Sequence, residues 1–176
     1  FAFLAHFFRD PRRVKQGGVN AVISPADGRV VEIADVTEPD YIGGEATKIA
    51  IFMTLLDCHV NRMPRNVRID WARHRPGKFL KADDPAASME NEQTLIAARD
   101  EADNRPILLK QIAGLVARRI VCPVESGQFY GQGQRFGMIR FGSRVELFLA
   151  KDAAFRMRVR LGDKVYAGRT VLGEWP

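Results

Sequence analysis

Short apolar runs, each ended by glycine, proline or a polar cluster, make up most of the sequence and predict strands. Strands are expected over residues 19–23, 29–36, 47–56, 67–72, 106–112, 116–122 and 138–149, with a strand, a turn and a strand over 158–173. The S-P-A-D-G sequence at 24–28 predicts a turn, which makes the first two strands a hairpin. Among interior segments, only 86–98 has the composition of a helix.

Many short strands and few helical segments predict a mainly β fold (β-rich α+β), a sandwich or barrel in one domain over residues 1–176. Near its end the chain reads V-R-L-G-D-K-V-Y-A-G-R-T-V-L-G, over 159–173. This segment resembles the V-x-x-G-D-x-V-x-x-G hammerhead hairpin of biotinyl and lipoyl carrier domains. The resemblance implies a barrel-sandwich hybrid-like domain with hammerhead-type hairpins and few short helices.

The strand predicted over 138–149 carries one polar residue on an otherwise apolar face. With a period of two, Ser143 shares its face with Val145 and Leu147. Gly142, just before it, weakens a strand and often marks a bulge or a close approach of another group. A buried hydroxyl beside a bare glycine is a candidate reacting centre. The alternative is a small core residue whose hydroxyl bonds to a backbone carbonyl.

The N-terminal segment, residues 1–15, is apolar and then basic. Its apolar side chains are Phe1, Phe3, Leu4, Phe7 and Phe8, and its basic ones are Arg9, Arg12, Arg13 and Lys15. They predict either a membrane-proximal segment, with the cations at anionic headgroups, or a short helix packed on the core. The apolar stretch is too short to span a bilayer. Because the sequence begins with Phe and not Met, a further segment upstream is expected.

The formal net charge of +6 and the pI of about 9.7 indicate either an anionic partner or a solvated basic surface. The aromatic residues lie mostly in apolar runs and not between exposed cations, which argues against a nucleic-acid-binding barrel. Cys58 and Cys122 are far apart and lack the spacing of a zinc site. No disulfide framework is therefore expected, and a reducing compartment fits.

Motifs in the same order along almost the whole chain are similar to those of the phosphatidylserine decarboxylase family. The R-F-G-S-R sequence at 140–144 resembles the processing site of its short forms, where longer forms have L-G-S-T. Further matches are F-F-R-D-P-R-R at 7–13, S-P-A-D-G at 24–28, F-M-T-L-L-D-C-H-V-N-R at 52–62, G-K-F at 77–79, N-E at 91–92 and Q-I-A-G at 111–114. So many motifs in one order rarely coincide by chance.

The resemblance implies a proenzyme that cuts itself between Gly142 and Ser143, giving a β chain of residues 1–142 and an α chain of residues 143–176. The Ser143 hydroxyl would attack the Gly142 carbonyl, and elimination and hydrolysis would then leave a pyruvoyl group in place of the serine. This group would form a Schiff base with phosphatidylserine and accept the electrons released with carbon dioxide, giving phosphatidylethanolamine. The resemblance implies no metal and no pyridoxal phosphate.

The resemblance also implies which residues handle protons. His59 is expected to act as the acid or base at the substrate, and Asp27 to orient or activate the base during cleavage. Longer relatives have two histidines, H-x-x-H, where this sequence has His59 and Arg62. An Asp-His-Ser triad is therefore incomplete here. Either His59 serves both steps, or Asp27 acts more directly on Ser143.

Two residues of the His59 motif are the candidates for binding substrate. Asn61 and Arg62 are expected to hold a phosphate or a carboxylate, since arginine suits such planar anions. The alternative for Arg62 is a structural pair with Asp57. Of the remaining histidines, His74 lies between two arginines and is expected to be exposed, and His6 lies in the N-terminal segment.

The resemblance implies several partners and a location. The partners are phosphatidylserine, an anionic membrane surface and the two chains of one precursor; a homodimer is compatible with it, and nucleic acid is not expected. The location is the cytoplasmic face of the cell membrane, with peripheral binding or an upstream anchor. The alternative function is a non-enzymatic carrier or binding module of the biotinyl or lipoyl kind. Lys164 lacks the M-K-M or D-K-A setting of a modified lysine, which argues against a carrier.

Overall fold

A computed structural model describes residues 7–115, 119–139 and 142–176. Within these ranges the chain forms fourteen strands and a short helix, α1, so the prediction of a mainly β fold is confirmed. Helix α1 spans Ala87–Glu90. Strands β1 to β14 span, in chain order, Ala21–Ile23, Gly28–Glu38, Gly44–Met53, Val60–Arg62, Val67–Arg75, Gln93–Asp100, Pro106–Ile112, Ile120–Val121, Phe129–Tyr130, Arg135–Ile139, Ser143–Ala150, Arg156–Met157, Lys164–Val165 and Val171–Glu174.

Eight of these strands form a curled sheet in the order β13-β2-β3-β11-β7-β6-β5-β9. At its centre, β11 pairs antiparallel with β3 and with β7. Val145 and Leu147 point from β11 into the main core, while Phe148 packs in a second apolar cluster on the other face. Because both faces of the central strands are buried, apolar residues can follow one another along them, as Leu147, Phe148 and Leu149 do in β11.

Two three-stranded sheets, β1-β14-β12 and β4-β10-β8, pack against the large sheet. Val22 and Leu172 from the first of them, and Phe136 and Ile139 from the second, lie in the same core cluster as β11. The main core is therefore shared by all three sheets. The two arms of the hammerhead-like segment join different sheets, since β13 pairs with β2 and β14 pairs with β1 and β12.

The hairpin expected around residues 24–28 is wrong. Strand β1 pairs with β14, and β2 pairs with β3 and β13. The bend at 24–28 therefore passes the chain from a small sheet to the large one. A Cβ atom on Gly28 would lie 2.2 Å from the carbonyl oxygen of Phe52, so the bend needs a glycine where it meets β3.

The helix expected over 86–98 is also wrong beyond its first turn. Helix α1 ends at Glu90, and the following Gln93–Asp100 is strand β6, between β5 and β7. Leu95 and Ala97 of this strand are buried in the second apolar cluster. Tertiary pairing thus overrides a composition rich in alanine, because helix propensity is worth only about 1 kcal/mol or less per residue.

The strand expected over 138–149 is divided between two sheets. Strand β10 ends at Ile139, and β11 begins at Ser143. Gly142 precedes β11 with a φ of +69°, a conformation that favours glycine. Residues 140–141 lie outside the described residues, as do 116–118 of the strand expected over 116–122, of which β8 is the described part.

Candidate active site

The bond between Gly142 and Ser143 lies where the chain enters the large sheet. Ser143 is the first residue of β11 and is fully buried, in agreement with the alternation of the sequence. Its Oγ has no hydrogen-bond partner among the described residues. Such a buried, unpaired hydroxyl costs on the order of 1–3 kcal/mol. The alternative of a hydroxyl bonded to a backbone carbonyl is therefore wrong, and the group is available for chemistry.

The carbonyl group of Gly142 packs against the backbone of Gly114, just after β7. A Cβ atom at position 114 would lie 2.2 Å from the Gly142 oxygen and 3.2 Å from the Cβ of Ala82. The φ of Gly114 lies outside the left-handed region, so this glycine is needed for space and not for its backbone conformation. The Gly142 carbonyl can take this position because residue 142 has a backbone conformation that favours glycine and residue 114 has no side chain in the way.

His59 contacts Gly142 through its imidazole ring. Its Nε2 accepts a hydrogen bond from the Gly142 N–H at 3.2 Å, and its Nδ1–H donates to the Asp57 carbonyl at 2.9 Å. Together these bonds require the neutral ring with its proton on Nδ1. The position of His59 follows from the sheet, because β4 begins directly after it and pairs with β10, which leads to Gly142.

Burial keeps His59 neutral. The ring is fully buried, and Phe7 covers it with 4.4 Å between the ring centroids. Removal from water lowers the pKa of His59 from 6.5 to about 4, although the carbonyl and the charge of Asp57 oppose this shift. Near neutral pH the imidazole is therefore uncharged and can accept a proton, as a general base must.

Asp27 is buried within electrostatic range of Asp57, but its oxygens bond to groups other than His59. One oxygen accepts a hydrogen bond from Arg13 at 2.7 Å, and the other accepts from the Ala167 N–H at 2.8 Å. Burial raises the pKa of Asp27, while these two bonds oppose the rise. A part for Asp27 in the chemistry stays a prediction.

Asn61 is fully buried on the Ser143 side of the sheet. Strand register places Met53 opposite Ser143 and Gln111 opposite Val145, so all four side chains share one face. Asn61 accepts a hydrogen bond from Gln111 at 2.8 Å, and its amide nitrogen lies 3.8 Å from the Met53 sulfur. Asn61 thus belongs to the lining around Ser143, and its contact with substrate stays a prediction.

Arg62 is held by the N-terminal segment and a turn. Its guanidinium donates to Asp10 at 2.6 Å and to the Gly133 carbonyl at 2.9 Å. The alternative of a pair with Asp57 is wrong, because the Asp57 carboxylate pairs with Lys164. Substrate binding by Arg62 stays a prediction, and it requires the guanidinium to exchange the partners that it has here.

Residues 7–13 lie across the site and pack on the protein. Phe7 is fully buried against His59, and Asp10 and Arg13 form the ion pairs described above. Of the two interpretations of this segment, a membrane-proximal segment or one packed on the core, its described part therefore fits the second. Arg13, whose side chain is 14% exposed, is engaged with a buried carboxylate and is not displayed for headgroups.

Residues 1–6, with His6 and three of the apolar side chains expected at a membrane, lie outside the described residues. Across the part of the chain that the structure describes, no helix is long and apolar enough to cross a membrane. His74 is exposed over 53% of its side chain, as its sequence position predicts, and lies on β5 away from Gly142.

A cleft of about 250 Å³ opens beside Gly142. Its other walls are Phe52, Leu55, Lys81, Ala82, Asp83 and Leu115. Leu55 and Leu115 are 42% and 55% exposed, so the cleft has apolar side chains that also face solvent. Lys81 and Asp83 add one charge of each sign. This lining suits a ligand with an apolar part and a zwitterionic or anionic head.

Sequence reasoning gave little sign of two features of this site. Residue 114 reads as a break between strands, and the only signal of its contact with Gly142 is its place in the Q-I-A-G motif. Arg13 is expected among the cations at anionic headgroups, and nothing in the sequence indicates its pair with Asp27. Both contacts join segments far apart in sequence, which periodicity cannot detect.

Comparisons with known proteins give matches along almost the whole chain. A family model described as phosphatidylserine decarboxylase matches residues 1–173. A phosphatidylserine decarboxylase proenzyme of Cupriavidus metallidurans is 45% identical over 172 residues, which are 98% of this chain and 78% of that protein. The protein of the same name from Ralstonia nicotianae is 44% identical over the same shares. That from Desulfotalea psychrophila is 44% identical over 173 residues, 98% of this chain and 79% of its own length.

The buried neutral state of His59 predicts a pH dependence of stability. Below pH 6.5 the unfolded chain gains a proton on this ring that the native chain does not gain until about pH 4. The free energy of unfolding should therefore fall as pH drops through this window, by ~3 kcal/mol at most for one group. Urea unfolding of Ser143→Ala, which keeps residues 142 and 143 joined, measures it.

The slope in this window should be smaller in Ser143→Ala/His59→Gln. The matched control is Ser143→Ala/His74→Gln, which removes an exposed imidazole and should keep the slope of Ser143→Ala. Equal slopes in all three proteins would contradict a buried neutral His59.

Proposed function

The chain belongs to the phosphatidylserine decarboxylase family, and on this premise we propose that it decarboxylates phosphatidylserine to phosphatidylethanolamine and carbon dioxide. We propose further that it is made as a proenzyme that cuts itself between Gly142 and Ser143. The products are a β chain of residues 1–142 and an α chain of residues 143–176, whose first residue becomes a pyruvoyl group. The proenzyme name of the relatives is consistent with this processing.

The environment of the Gly142–Ser143 bond is the observation that carries this proposal. The Ser143 hydroxyl is buried without a partner and next in the chain to the Gly142 carbonyl carbon. Attack by that hydroxyl turns the amide into an ester and frees the nitrogen of Ser143. Gly142 offers no side chain that hinders the attack. A nucleophile removed from water needs no desolvation before it reacts.

His59 supports the proposal as the general base. It is neutral near physiological pH, and its Nε2 accepts a hydrogen bond from the N–H of Gly142, the residue before Ser143. To act as the base, Nε2 exchanges this N–H for the Ser143 hydroxyl one residue away. The N–H contact holds Gly142 in place. Asp27, bonded to Arg13, stabilises the segment that covers His59 and acts on the base indirectly in this proposal.

The residues present fit a pyruvoyl group at position 143. When formed, this group supplies a ketone that takes up an amine and an electron sink for the bond to the departing carboxylate. The protein keeps the position dry, since Ser143, His59 and Asn61 are all fully buried. His59 is in place to hold or return a proton beside Gly142. No role for another group is needed in these steps.

The cleft beside Gly142 supports binding of a lipid with a charged head. Lys81 can pair with the phosphate or carboxylate of the head, and Leu55 and Leu115 can contact its apolar part. Because Gly142 itself lines the cleft, a headgroup bound in it lies next to the residue that precedes Ser143. Asn61 and Arg62 remain candidates for a part in the same recognition.

We propose that the mouth of this cleft rests on an anionic membrane, at the cytoplasmic face of the cell membrane. Leu56 is 68% exposed, and Phe8 is 44% exposed on the neighbouring N-terminal segment, whose Arg9 donates to the Leu56 carbonyl. Together with Leu55 and Leu115 they form an apolar rim near the cleft. Such a rim with cations beside it suits the boundary between headgroups and acyl chains.

The alternative of a carrier module gains no support from the structure. A carrier needs an accessible lysine for modification, and Lys164 is the residue that the hammerhead-like segment offers. Its Nζ instead pairs with the buried carboxylate of Asp57, a residue distant from it in sequence. The lysine therefore serves a structural contact close to the His59 loop.

Mass spectrometry under denaturing conditions tests the processing directly. The purified protein should appear as two fragments split before residue 143, with the smaller one blocked by pyruvate. Ser143→Ala removes the nucleophile and should give one chain of about the full 19.8 kDa. An unsplit wild-type chain, or cleavage of Ser143→Ala at this bond, would contradict the proposal.

Gly114→Ala should slow self-cleavage on the order of 100-fold, because its methyl group displaces the Gly142 carbonyl from the attacking hydroxyl. Gel electrophoresis of the freshly translated chain over time measures the rate. Added hydroxylamine, which splits esters, should not restore cleavage, because the ester is not formed.

The matched control is Gly44→Ala. Gly44, the first residue of β3, likewise has φ outside the left-handed region, and an added Cβ meets nothing within 4 Å. This variant should cleave at the wild-type rate. Cleavage of Gly114→Ala at the same rate as Gly44→Ala would refute the positioning of the carbonyl by Gly114.

Leu56→Ser should weaken binding to vesicles that contain phosphatidylserine by about tenfold, because it removes one leucine from the apolar rim. Cosedimentation with vesicles measures the binding. The control is Phe129→Ser, at an exposed position on the edge strand β9, which should leave binding unchanged. Equal loss in both variants would show that the rim is not the membrane-facing surface.

A further inference from the structure

Four charged side chains and one serine form a cluster on the face of the large sheet opposite Ser143; all are buried except Glu32, whose side chain is 35% exposed. It consists of Glu32 on β2, Lys48 on β3, Arg144 and Glu146 on β11, and Ser88 on α1. We call these five residues the Arg144 cluster. Arg144 and Glu146 have side chains that are 3% and 0% exposed. Ala50, on β3 between Glu32 and Glu146, leaves room for the longer side chains to meet.

Hydrogen bonds and ion pairs connect every member of the Arg144 cluster. Arg144 donates to Glu146 at 2.7 Å and pairs with Glu32 through its other nitrogen. Lys48 lies 3.1 Å from Glu32 and 3.2 Å from Glu146, and Ser88 donates to Glu146 at 2.9 Å. The cluster therefore links three adjacent strands and the helix that covers them.

Stability alone does not explain these buried charges. Removing two ions from water costs several kcal/mol per ion, and apolar side chains of similar volume often stabilise a protein as well or better. The second apolar cluster, with Phe148 and Leu108, shows that this face of the sheet also accepts apolar packing. What an ionic network can add is a defined geometry, because each buried charge needs a partner of opposite sign at hydrogen-bond distance.

A fixed geometry matters at Arg144 because this residue lies next to the proposed cleavage site. Cleavage before Ser143 makes Arg144 the second residue of a new chain. Before cleavage β11 is tied to β10 through the backbone; afterwards its first residue is a chain terminus, and termini fray unless they are tied down. At Ser143 the sheet holds the chain on one side only, since Ser143 pairs with Met53 of β3 while the pairing with β7 begins at Arg144.

We propose that Arg144 is a positioning residue that holds the pyruvoyl-bearing end of the α chain in the sheet after self-cleavage. This inference rests on the proposed function. Through Glu32 the guanidinium ties the new end to β2, a strand of the β chain. Through Glu146 it ties that end to its own strand. The reacting group, one residue away, then keeps its place beside His59.

An arginine suits this task better than a lysine. Its planar fork can donate to two carboxylates at once, whereas a lysine ammonium is a single point of charge. Lys48 already supplies the point charge between the same two carboxylates. Arg144→Lys therefore keeps the net charge of the cluster and removes the geometry that joins both carboxylates to residue 144.

The test compares Arg144→Lys in the self-cleaved protein and in the Ser143→Ala background, where the chain stays joined. Hydrogen exchange followed by mass spectrometry reports on the amides of the first residues of β11. In the cleaved protein the substitution should speed their exchange by about tenfold or more; in the joined chain the change should be less than about threefold. A merely structural role would move both equally.

Enzyme kinetics with phosphatidylserine in mixed micelles gives a second readout. Cleaved Arg144→Lys should show kcat reduced by about tenfold with KM nearly unchanged, because the reacting group is misplaced while the cleft is intact. The matched control is Arg65→Lys, in another buried pair, with Asp100, that lies wholly within the β chain. Its effect on exchange in β11 should be the same in both backgrounds.

The outcomes separate this inference from the function on which it rests. A wild-type protein that stays one chain would refute the proposed processing, and the inference with it. A wild-type protein that splits and decarboxylates, with Arg144→Lys exchanging equally in the cleaved and joined forms, would refute the inference alone. If Arg144→Lys fails to fold, Arg144→Gln, which keeps amide donors, is measured in the same two backgrounds and judged by the same comparison.

Discussion

The pairing of β11 between β3 and β7 is the constraint on which the candidate site depends. Because the strand begins at Ser143, the sheet holds this hydroxyl in the core and leaves Gly142 just outside the ladder. At that point the backbone is reached by His59 from one neighbouring segment and by Gly114 from another. The position of the candidate bond thus depends on where this strand starts, with the glycine just before the boundary and the serine just after it.

The two faces of this strand have opposite electrostatic character. On the Ser143 face the described polar groups nearest to Ser143 are uncharged: its own hydroxyl, the Asn61–Gln111 amide pair and a histidine kept neutral by burial. On the other face, charged groups meet in the Arg144 cluster. A neutral, dry face favours a nucleophile and base that act without losing a hydration shell, while the charged face fixes the strand that carries them.

Residues 7–13 of the N-terminal segment complete the surroundings of His59 and Asp27. Phe7 excludes water from His59, and Arg13 neutralises Asp27, which would otherwise be a buried carboxylate without a cation. A segment that resembles a membrane anchor in its composition therefore supports the chemistry from within the protein. Contact with the membrane is assigned instead to the rim of the cleft, where Leu55 and Leu56 are exposed.

The sequence by itself determined the mainly β fold, the family and the candidate bond, because strand periodicity and ordered motifs are properties of neighbouring residues. The inward direction of Ser143 could be predicted, since it follows from alternation with Val145 and Leu147. The split of the 138–149 strand, the strand at 93–100 and the partners of Arg62 could not, because each depends on which distant segment lies alongside. Only the tertiary structure decided that Gly142 meets His59 and Gly114, since those contacts arise from strand pairing across long sequence separations.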